Sequence, residues 1–389
     1  MRILFLAPHS FYQVRGSPIA VNLLLNVLSD RGDTVHVLTY HEGQDVDHKQ
    51  VTLHRIPSLP FVGHVRPGFS WKKLACDFLL GIHALRLQRR HRYDLVYALE
   101  ESVFIALFLK FLFKTPYVYD MDSSLPQQLV EHKPALAPLT PLLRRCEHMV
   151  VKRALAVVPV CDGLARSIQV HGPRKVVTLH DIPLISGSTS NDKREDARGA
   201  LRTELNLTGG VIMYVGNLEY YQGIDLLLES FRLFLGEDGE TRLVIVGGEP
   251  DDLELYRRRA EIRAIAHAVH FLGPRPLEDL GDLLHASDVL VSPRLRGINT
   301  PMKIYSYLES GKAILATDIQ AHTEVLTKDV AMLVPPVPQT LARGMRELMH
   351  SDTLRLNLGQ AGKRLADERF TYAAYRTAVH ELFDWLERE

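Results

Sequence analysis

The sequence predicts an α/β protein made of two Rossmann-like, doubly wound domains with an interdomain cleft. Its 389 residues exceed what one ordinary hydrophobic core holds, so two domains of roughly 150–200 residues are expected. Apolar runs rich in Val, Ile and Leu alternate with longer helical patterns, and this alternation occurs in two series. Continuous apolar strands joined by helices indicate parallel sheets that are covered on both faces.

The first series predicts a first domain over residues 1–184. Its predicted strands lie at 3–7, 34–39, 53–56, 95–98, 117–119 and 156–160. Its predicted helices lie at about 18–31, 70–92, 102–113, 142–154 and 162–171. A polar stretch without hydrophobic period, residues 185–200, is then predicted to be an interdomain linker.

The second series predicts a second domain over residues 201–370. Its predicted strands lie at 211–215, 242–246, 269–272, 289–292, 313–316 and 331–334. Its predicted helices lie at 223–235, 251–268, 278–286, 301–310, 321–326, 338–349 and 352–367. The C-terminal segment 371–389 contains one more predicted helix, which is a candidate to cross back to the first domain. Ligands of doubly wound domains bind beyond the carboxyl ends of the strands, so the site is expected there.

Charge and cysteine content exclude several classes of function. Acidic and basic residues balance at 46 each, which argues against a polyanion-binding surface and a nucleic-acid partner. The three cysteines, Cys76, Cys146 and Cys161, are too widely spaced for a disulfide framework or a zinc site. A reducing, cytoplasmic location is therefore expected. The longest apolar stretch, 103–113, is too short to span a bilayer.

Four segments, in order and at plausible spacing, resemble the family-4 glycosyltransferases. ILFLAPHSFYQVRGSP at 3–18 resembles the family's first strand and Gly-containing loop, and GNLEYYQG at 216–223 resembles its Gly-Arg-Leu to Lys-Gly segment. The stretches HFLGPRPLEDLGDLLHASDVLVSPR at 270–294 and TPMKIYSYLESGKAILATDIQAHTEVL at 300–326 resemble its donor-site region. The resemblance implies the GT-B fold, sugar transfer with retention of anomeric configuration, and a nucleotide-sugar co-substrate, UDP- or GDP-sugar first, with no other cofactor.

A diphosphate leaving group needs hydrogen-bond donors aimed at its developing charge. Gly16 occupies the family's glycine loop, before a predicted helix whose N-terminus favours anions. Its missing Cβ would let backbone approach a phosphate, although a glycine here also suits a simple tight turn.

The second domain departs from the family at its usual cations. Neutral Asn217 and Gln222 stand, beside Gly223, where relatives have Arg and Lys. Lys303 in the donor-site helix is the first candidate for the missing positive charge, and it is also a candidate catalytic residue. Arg294 and Arg296 after a predicted strand are further candidates, or else solvated loop charges.

A second departure concerns the family's acidic pair. Ile298 and Ser306 hold its two positions. Ser306 can still bond a ribose hydroxyl, and the backbone N–H groups of Asn299 and Thr300 at a helix start are candidates for the sugar hydroxyls. The nearby Glu309 is assigned to the surface.

The first domain is expected to bind the acceptor, whose identity the sequence does not indicate. Asp122 follows a predicted strand, and it either binds a hydroxyl, acting as a base if its pKa is raised, or caps the next helix. Glu100, His9 and Tyr12 are weaker acceptor candidates, and His9 is equally suited to a structural role.

No His, Asp or Glu spacing predicts a metal site, so no essential metal is expected. Three basic stretches, Lys72-Lys73, 86–92 and Arg144-Arg145, suggest peripheral membrane contact or, alternatively, solvated helix faces. Two other functions stay open: a GT-B sugar-nucleotide epimerase, and a non-catalytic nucleotide-sugar binder.

Overall fold

The computed structural model describes residues 1–12, 16–58, 70–132, 134–185, 199, 201–205, 207, 209–236 and 239–389. The described chain forms two compact units. Unit 1 contains Met1–His180 and Ala373–Glu389, and unit 2 contains Asp181–Tyr372. The C-terminal residues thus pack with the unit in which the chain begins. Most of the predicted linker, residues 186–198 and 200, lies outside the described residues.

Unit 1 contains a parallel sheet in the order β3-β2-β1-β4-β5-β6. The strands are β1 (Arg2–Ala7), β2 (Thr34–Thr39), β3 (Val51–Arg55), β4 (Leu95–Leu99), β5 (Tyr117–Met121) and β6 (Ala156–Pro159). Central β1 and β4 are buried on nearly every residue, which explains their continuous apolar sequences. The chain order reverses between β1 and β4, so their carboxyl ends form the switch point of this sheet.

Seven α-helices of the described chain cover the sheet of unit 1. They are α1 (Gly16–Arg31), α2 (Trp71–His91), α3 (Val103–Phe113), α4 (Leu125–His132), α5 (Thr140–Arg153), α6 (Asp162–Ser167) and, from the C-terminus, α14 (Tyr372–Leu386). Helix α14 buries Val379 and Phe383 in the same core as α1. Ion pairs of Arg31 with Asp33 and Asp384 join the two helices at their polar edge.

Unit 2 repeats the architecture, with a parallel sheet in the order β12-β11-β10-β7-β8-β9. The strands are β7 (Val211–Val215), β8 (Arg242–Val246), β9 (Val269–Gly273), β10 (Val289–Ser292), β11 (Ala313–Thr317) and β12 (Met332–Val334). The helices are α7 (Ile224–Leu235), α8 (Pro250–Ile262), α9 (Leu280–Ala286), α10 (Lys303–Ser310), α11 (Gln320–Thr323), α12 (Pro338–Met349) and α13 (Asp352–Arg369). The switch point here lies between β7 and β10.

The structure confirms all twelve predicted strands but corrects several helices. Helix α4, followed by a 3-10 turn at Pro134–Leu139, was not predicted. The helix predicted at 251–268 ends at Ile262, because Ala264 adopts a left-handed φ of 57° and the chain leaves the helical path. Helix α11 covers only Gln320–Thr323 of the helix predicted at 321–326.

A close contact between α13 and the end of α10 predicts a large stability effect. A Cβ on Gly359 would lie 2.0 Å from the carbonyl oxygen of Gly311, and backbone cannot yield as a side chain does. We expect Gly359→Ala to lower the free energy of unfolding of unit 2 by about 2–4 kcal/mol, because the helices must separate.

The matched control is Gly281→Ala in α9, where the added methyl would meet Ile185 at 3.7 Å, an ordinary contact. Alanine there should leave the melting temperature unchanged or raise it, since alanine favours helix by about 0.5–1 kcal/mol. Differential scanning calorimetry measures both variants. Equal melting temperatures for the two would contradict the predicted clash.

Candidate functional site

The site residues predicted in the second domain gather at the switch point of unit 2. Gly216 directly follows β7, and Arg294 follows β10 by two residues. Lys303 is the first residue of α10. Its Nζ donates to Oε1 of Gln222 at 3.3 Å and lies 3.8 Å from the ring centroid of Tyr214. The structure therefore brings Lys303 and Gln222 together at the expected edge.

The Lys303 side chain is partly buried. Burial and the nearby positive charge of Arg294 hold the pKa of Lys303 well below its usual range. The face of Tyr214 supplies a cation–π contact, and Gln222 supplies a neutral oxygen. A desolvated cation with neutral neighbours is a favourable position for an anionic ligand, which would raise this pKa again.

Arg294 has a different role, because its guanidinium organises the loop before α10. It donates from Nε to the carbonyl oxygen of Arg296 at 2.8 Å, and from Nη1 and Nη2 to the carbonyl oxygen and Oδ1 of Asn299 at 3.1 and 3.0 Å. The residue is only 8% exposed. Arg294 thus holds Asn299 in place and adds positive charge beside Lys303.

Two glycines allow the close packing around Lys303. Gly216 has a φ of 145°, and a Cβ there would lie 2.7 Å from Nζ of Lys303. Gly223 has a φ of 76°, and its Cβ would lie 2.0 Å from the carbonyl oxygen of Pro293. Only glycine suits both positions. The exposed Asn217 lies between them in sequence, and its Oδ1 accepts from the backbone N–H of Glu219 at 3.4 Å.

The polar residues near the start of α10 are not arranged as predicted. The helix begins at Lys303 rather than 301, so Asn299 and Thr300 lie in the loop before it and not at its N-terminus. Thr300 is 3% exposed, and its Oγ1 has no hydrogen-bond partner among the residues described. Ser306 is 1% exposed and accepts from the backbone N–H of Leu184 at 3.0 Å. Its contact with ribose stays a prediction.

A buried histidine that was not predicted from the sequence connects the carboxyl ends of β10 and β11. His322 lies with Nε2 2.8 Å from Oγ of Ser292 and Nδ1 2.8 Å from the carbonyl oxygen of Thr317. Burial lowers the pKa of His322 to about 4, so the ring is neutral. A neutral ring that donates from Nδ1 accepts at Nε2, and this bond joins α11 to the end of β10.

Unit 1 gathers four carboxyl groups at the carboxyl ends of β4 and β5. We call them the carboxylate cluster, and its members are Asp77, Glu100, Glu101 and Asp122. Glu100 has a left-handed φ of 49°, which is uncommon for a residue with a Cβ and recurs at functional sites. The sequence predicted Asp122 and Glu100, but it did not predict that Asp77 of α2 and Glu101 would join them.

Each cluster member has a defined partner. Oγ of Ser17 donates to Asp122 at 2.8 Å, and Oγ of Ser123 lies 3.2 Å from both carboxylate oxygens of Glu100. The pairs on α2 are Lys73 with Glu101 and the Tyr40 hydroxyl with Asp77.

The bond from Ser17 joins the start of α1 to the end of β5. Helix α4 begins at Leu125, so Ser124 rather than Asp122 precedes it, and the cap interpretation of Asp122 is wrong. Gly16 is the first residue of α1 rather than a loop residue before it, and a Cβ there would meet none of the described residues within 4 Å. The described part of the chain therefore leaves space beside Gly16.

Burial and nearby negative charge favour the protonated forms of Glu100 and Asp122. Burial, with the charges of Asp122 and Glu101, holds the pKa of Glu100 well above its usual range. Burial also raises the pKa of Asp122, against the lowering effect of the Ser17 bond. Carboxyl groups with raised pKa values can bind sugar hydroxyls as donors when protonated or as acceptors when ionised, and they can move a proton.

His9 and Tyr12 follow β1 and make contacts of their own. Nδ1 of His9 is 3.2 Å from the carbonyl oxygen of Ser10. The backbone N–H of Tyr12 donates to the carbonyl oxygen of Gln44 at 2.8 Å, and its ring packs edge-on against Phe11. Neither contact tests their predicted role in acceptor binding.

Asp77 predicts how the stability of unit 1 depends on pH. Burial and the charge of Glu101 raise the pKa of Asp77 to about 7, although the bond from Tyr40 opposes this. The folded state then binds more protons than the unfolded chain between about pH 4 and 7, so this group makes stability fall as pH rises through that window. We expect that the stability of the Asp77→Asn variant no longer includes the decrease with pH that Asp77 causes.

At pH 8 the Asp77→Asn variant should be more stable than the wild type by on the order of 1–3 kcal/mol, because no buried charge forms. Thermal unfolding from pH 4 to 8 measures this difference. Asp30→Asn, an exposed carboxylate of α1, is the control and should follow the wild type. A variant curve parallel to that of the wild type would contradict the assignment.

The described ranges contain neither a metal-holding group of side chains nor a membrane-spanning helix. No group of three or more His, Cys, Asp or Glu side chains there is arranged to hold a metal ion. None of the described helices combines the length and apolarity that crossing a bilayer requires.

Comparison with known proteins gives two family matches that together cover most of the chain. Residues 15–181 match the family described as "Glycosyl transferase 4-like domain", and residues 200–365 match "Glycosyl transferases group 1". The boundary between the two matches falls in the region predicted as a linker.

Curated relatives match part of the chain at low identity. D-inositol 3-phosphate glycosyltransferase from Corynebacterium aurimucosum is 23% identical over 256 residues, which are 63% of this chain and 60% of that protein. Phosphatidyl-myo-inositol mannosyltransferase from Mycobacterium tuberculosis is 25% identical over 186 residues, 45% of this chain and 47% of that protein. The chain thus spans about half to three fifths of these relatives' lengths.

Solved structures match over the whole chain. Sucrose-phosphate synthase from Thermosynechococcus elongatus superposes with a TM-score of 0.79 at 17% identity, covering 100% of this chain and 99% of that one. The Anabaena protein HepE in complex with UDP and glucose superposes with a TM-score of 0.75 at 18% identity, covering 98% and 99%. At such identities these likenesses show the fold, which is GT-B.

Proposed function

The chain belongs to the family-4 type of GT-B glycosyltransferases, and on that premise we propose that it transfers a sugar from a nucleotide-diphosphate sugar to an acceptor hydroxyl. One observation carries this proposal: the Lys303 ammonium lies at the switch point of unit 2 with neutral partners and a lowered pKa. A cation held in this way is suited to the charge that develops on a diphosphate leaving group.

The donor is proposed to bind unit 2 through a set of groups around Lys303. Gln222 can contribute its amide N–H groups, and Asn217 is exposed beside it. The loop that Arg294 orders can present backbone N–H groups of Asn299 and Thr300. The buried Thr300 hydroxyl without a described partner supports a ligand here, because such groups normally have one.

A UDP-sugar is proposed as the donor, with a GDP-sugar as the next candidate. Support comes from HepE, whose structures contain UDP, UDP with glucose, and UDP-glucose. Lys303 and Arg294 provide positive charge from the protein itself, so we also propose that the reaction needs no essential metal.

The acceptor is proposed to bind unit 1 at the carboxylate cluster. Carboxyl groups bind hydroxyls well and repel anions, so the acceptor's reacting part should be an uncharged polyol or sugar. The named relatives are a D-inositol 3-phosphate glycosyltransferase and a phosphatidyl-myo-inositol mannosyltransferase; inositol is a polyol, so their names support the polyol part of this proposal, while the absence of charge rests on the carboxyl groups alone. Asp122 is proposed to orient the attacking hydroxyl, and retention of configuration is proposed from the family resemblance.

The proposed reaction takes place in the cytoplasm. None of the three described cysteines forms a disulfide, which agrees with a reducing compartment. Neither the epimerase nor the non-catalytic binder is favoured by a specific observation.

A thermal-shift screen of UDP-, GDP- and ADP-sugars tests donor binding, because a ligand of the folded state raises its apparent stability. At 100 times its dissociation constant, a donor adds about 2.7 kcal/mol. Release of the nucleoside diphosphate that a panel of polyols accelerates, together with an equal amount of glycosylated polyol, would then show transfer. An epimerised sugar in the absence of acceptor, or binding without any turnover, would contradict the proposal.

A further inference from the structure

Helices α2 and α3 expose an unusual number of large apolar side chains. On α2 these side chains recur at intervals of three and four residues, and on α3 they recur in the same way, so each helix presents one stripe. Trp71 and Phe78 are 80% and 71% exposed, and Phe108 is 53% exposed. We call the full set the apolar face, and it consists of Trp71, Leu74 and Phe78 of α2 with Phe104, Phe108, Phe111 and Leu112 of α3.

The two stripes adjoin on the surface of unit 1. Gly81 of α2 lies against Ile105 of α3, since a Cβ at Gly81 would be 3.8 Å from Cγ1 of Ile105. Gly81 lies three residues beyond Phe78, and Ile105 directly follows Phe104. The side of α3 opposite the exposed stripe packs Val103 and other apolar residues into the core. Core packing within unit 1 therefore does not explain the exposed apolar side chains. A contiguous apolar patch of this kind marks an interaction site.

Positive charge surrounds the apolar face. Helix α2 has one acidic residue, Asp77, which bonds Tyr40 within the unit. Its basic residues are Lys72, Arg86, Arg89 and Arg90, together with Lys73, whose charge is paired with Glu101 within the unit. Helix α3 has no acidic residue. The whole chain has a formal net charge of zero, so α2 and α3 are more basic than the chain as a whole.

The basic and aromatic groups are placed to act together. Arg89 lies eighteen residues, or five full turns, beyond Trp71 on α2, so it continues the same stripe. Arg86 and Arg89 are both exposed. Beside α3, the guanidinium carbon of Arg153 from α5 lies 4.7 Å from the ring centroid of Phe111.

We propose that the apolar face and its basic rim dock unit 1 onto the surface of an anionic lipid bilayer. Aromatic side chains enter the headgroup boundary, while arginine and lysine side chains pair with anionic headgroups. A second copy of the chain is a poorer occupant, because a two-fold contact would bring the same basic rims together. The docking does not depend on sugar transfer, since none of the apolar side chains belongs to the proposed donor or acceptor sets.

Vesicle flotation of the full chain tests the docking at low salt. The vesicles contain phosphatidylcholine alone or phosphatidylcholine mixed with phosphatidylglycerol. We expect the wild type to float with the mixed vesicles. The double variant Trp71→Ala/Phe78→Ala should lose at least about tenfold in partitioning, because two aromatic side chains no longer enter the lipid.

The charge variant Arg86→Gln/Arg89→Gln separates the electrostatic part. It should weaken flotation with the mixed vesicles by about tenfold, since each basic residue near an anionic surface contributes on the order of 1 kcal/mol. Its binding to phosphatidylcholine alone should be unchanged. The matched control is Leu255→Ala/Ile262→Ala, two exposed apolar residues of α8 in unit 2, which should float like the wild type.

Three outcomes would overturn the proposal. The first is a wild type that does not float with mixed vesicles at low salt. The second is an aromatic variant that floats as well as the wild type. The third is a concentration-dependent dimer in light scattering that the aromatic variant abolishes, combined with absent flotation, which would assign the face to self-association. The substituted side chains are exposed, so circular dichroism should show unchanged folding in every variant.

Discussion

Replacing Lys303 with methionine is expected to lower kcat with a UDP-sugar donor by roughly 10²–10³-fold, the effect of removing one preorganised group that meets developing charge. Methionine keeps an unbranched apolar stem, so the contact with the ring of Tyr214 is largely preserved while the positive charge is lost. The partner Gln222 is neutral and cannot replace that charge. Steady-state kinetics of transfer, with donor binding measured by thermal shift, check this prediction.

Lys328→Met is the matched control, because Lys328 is an exposed lysine of the same unit. It should keep wild-type kinetics. If Lys303→Met and Lys328→Met were equally active, the proposed role of Lys303 in transfer would be wrong. Calorimetry must show that unit 2 is folded in both variants.

The lowered pKa of Lys303 adds a pH signature to the same experiment. An ordinary lysine stays protonated to about pH 10, but Lys303 loses its proton at lower pH because it is buried near Arg294. Donor affinity should therefore fall on the alkaline side earlier than an ordinary lysine would allow. Arginine remains charged at every accessible pH. In the Lys303→Arg variant, donor affinity should therefore no longer fall at alkaline pH, even if the activity is reduced.

Replacing Asp122 with asparagine is expected to lower kcat by roughly 10²-fold, within the range for a positioned acid or base. The amide oxygen can still accept the bond from Ser17, so the link between α1 and β5 survives. The lost properties are the negative charge and the ability to take a proton. Donor binding should be unchanged, because it is assigned to unit 2.

The pH profile distinguishes this role from a structural one. If ionised Asp122 orients the attacking hydroxyl, the wild-type rate should rise with pH above the usual aspartate range, because the pKa of Asp122 is raised. The rate of the asparagine variant should not rise with pH in that range. Asp47→Asn, an exposed carboxylate of the same unit, should retain that rise. A variant with a wild-type rate and profile would remove Asp122 from the proposed acceptor site.

Both units carry their candidate site residues at the carboxyl ends of the sheet strands, but the two sets of residues differ in charge. The edge of unit 2 presents the cations Lys303 and Arg294, which suit a diphosphate. The edge of unit 1 presents Asp122 and Glu100 with raised pKa values, which suit neutral hydroxyls. This division agrees with the proposal that the anionic donor binds unit 2 and the uncharged acceptor binds unit 1.

Helix boundaries were the least predictable part of the fold. The α4 segment, LPQQLVEH, is short, contains a proline and lacks a clear apolar period. Helix α10 was predicted to begin at 301 but begins at Lys303. The loop before it is held in another conformation by the bonds that Arg294 makes to Arg296 and Asn299. Bonds from a side chain to the backbone of a neighbouring loop leave no hydrophobic period in the sequence.

By itself, the sequence determined the twelve strands, the two sheets and the edges where chemistry is expected, because runs of buried apolar residues can form little else than parallel sheets. It also identified Lys303 and Asp122. Only the tertiary structure decided their surroundings: Tyr214 from β7 against Lys303, and Asp77 of α2 beside Glu101. Such neighbours are set by how distant elements pack, and packing shifts pKa values through burial and nearby charge, neither of which is encoded in residue spacing.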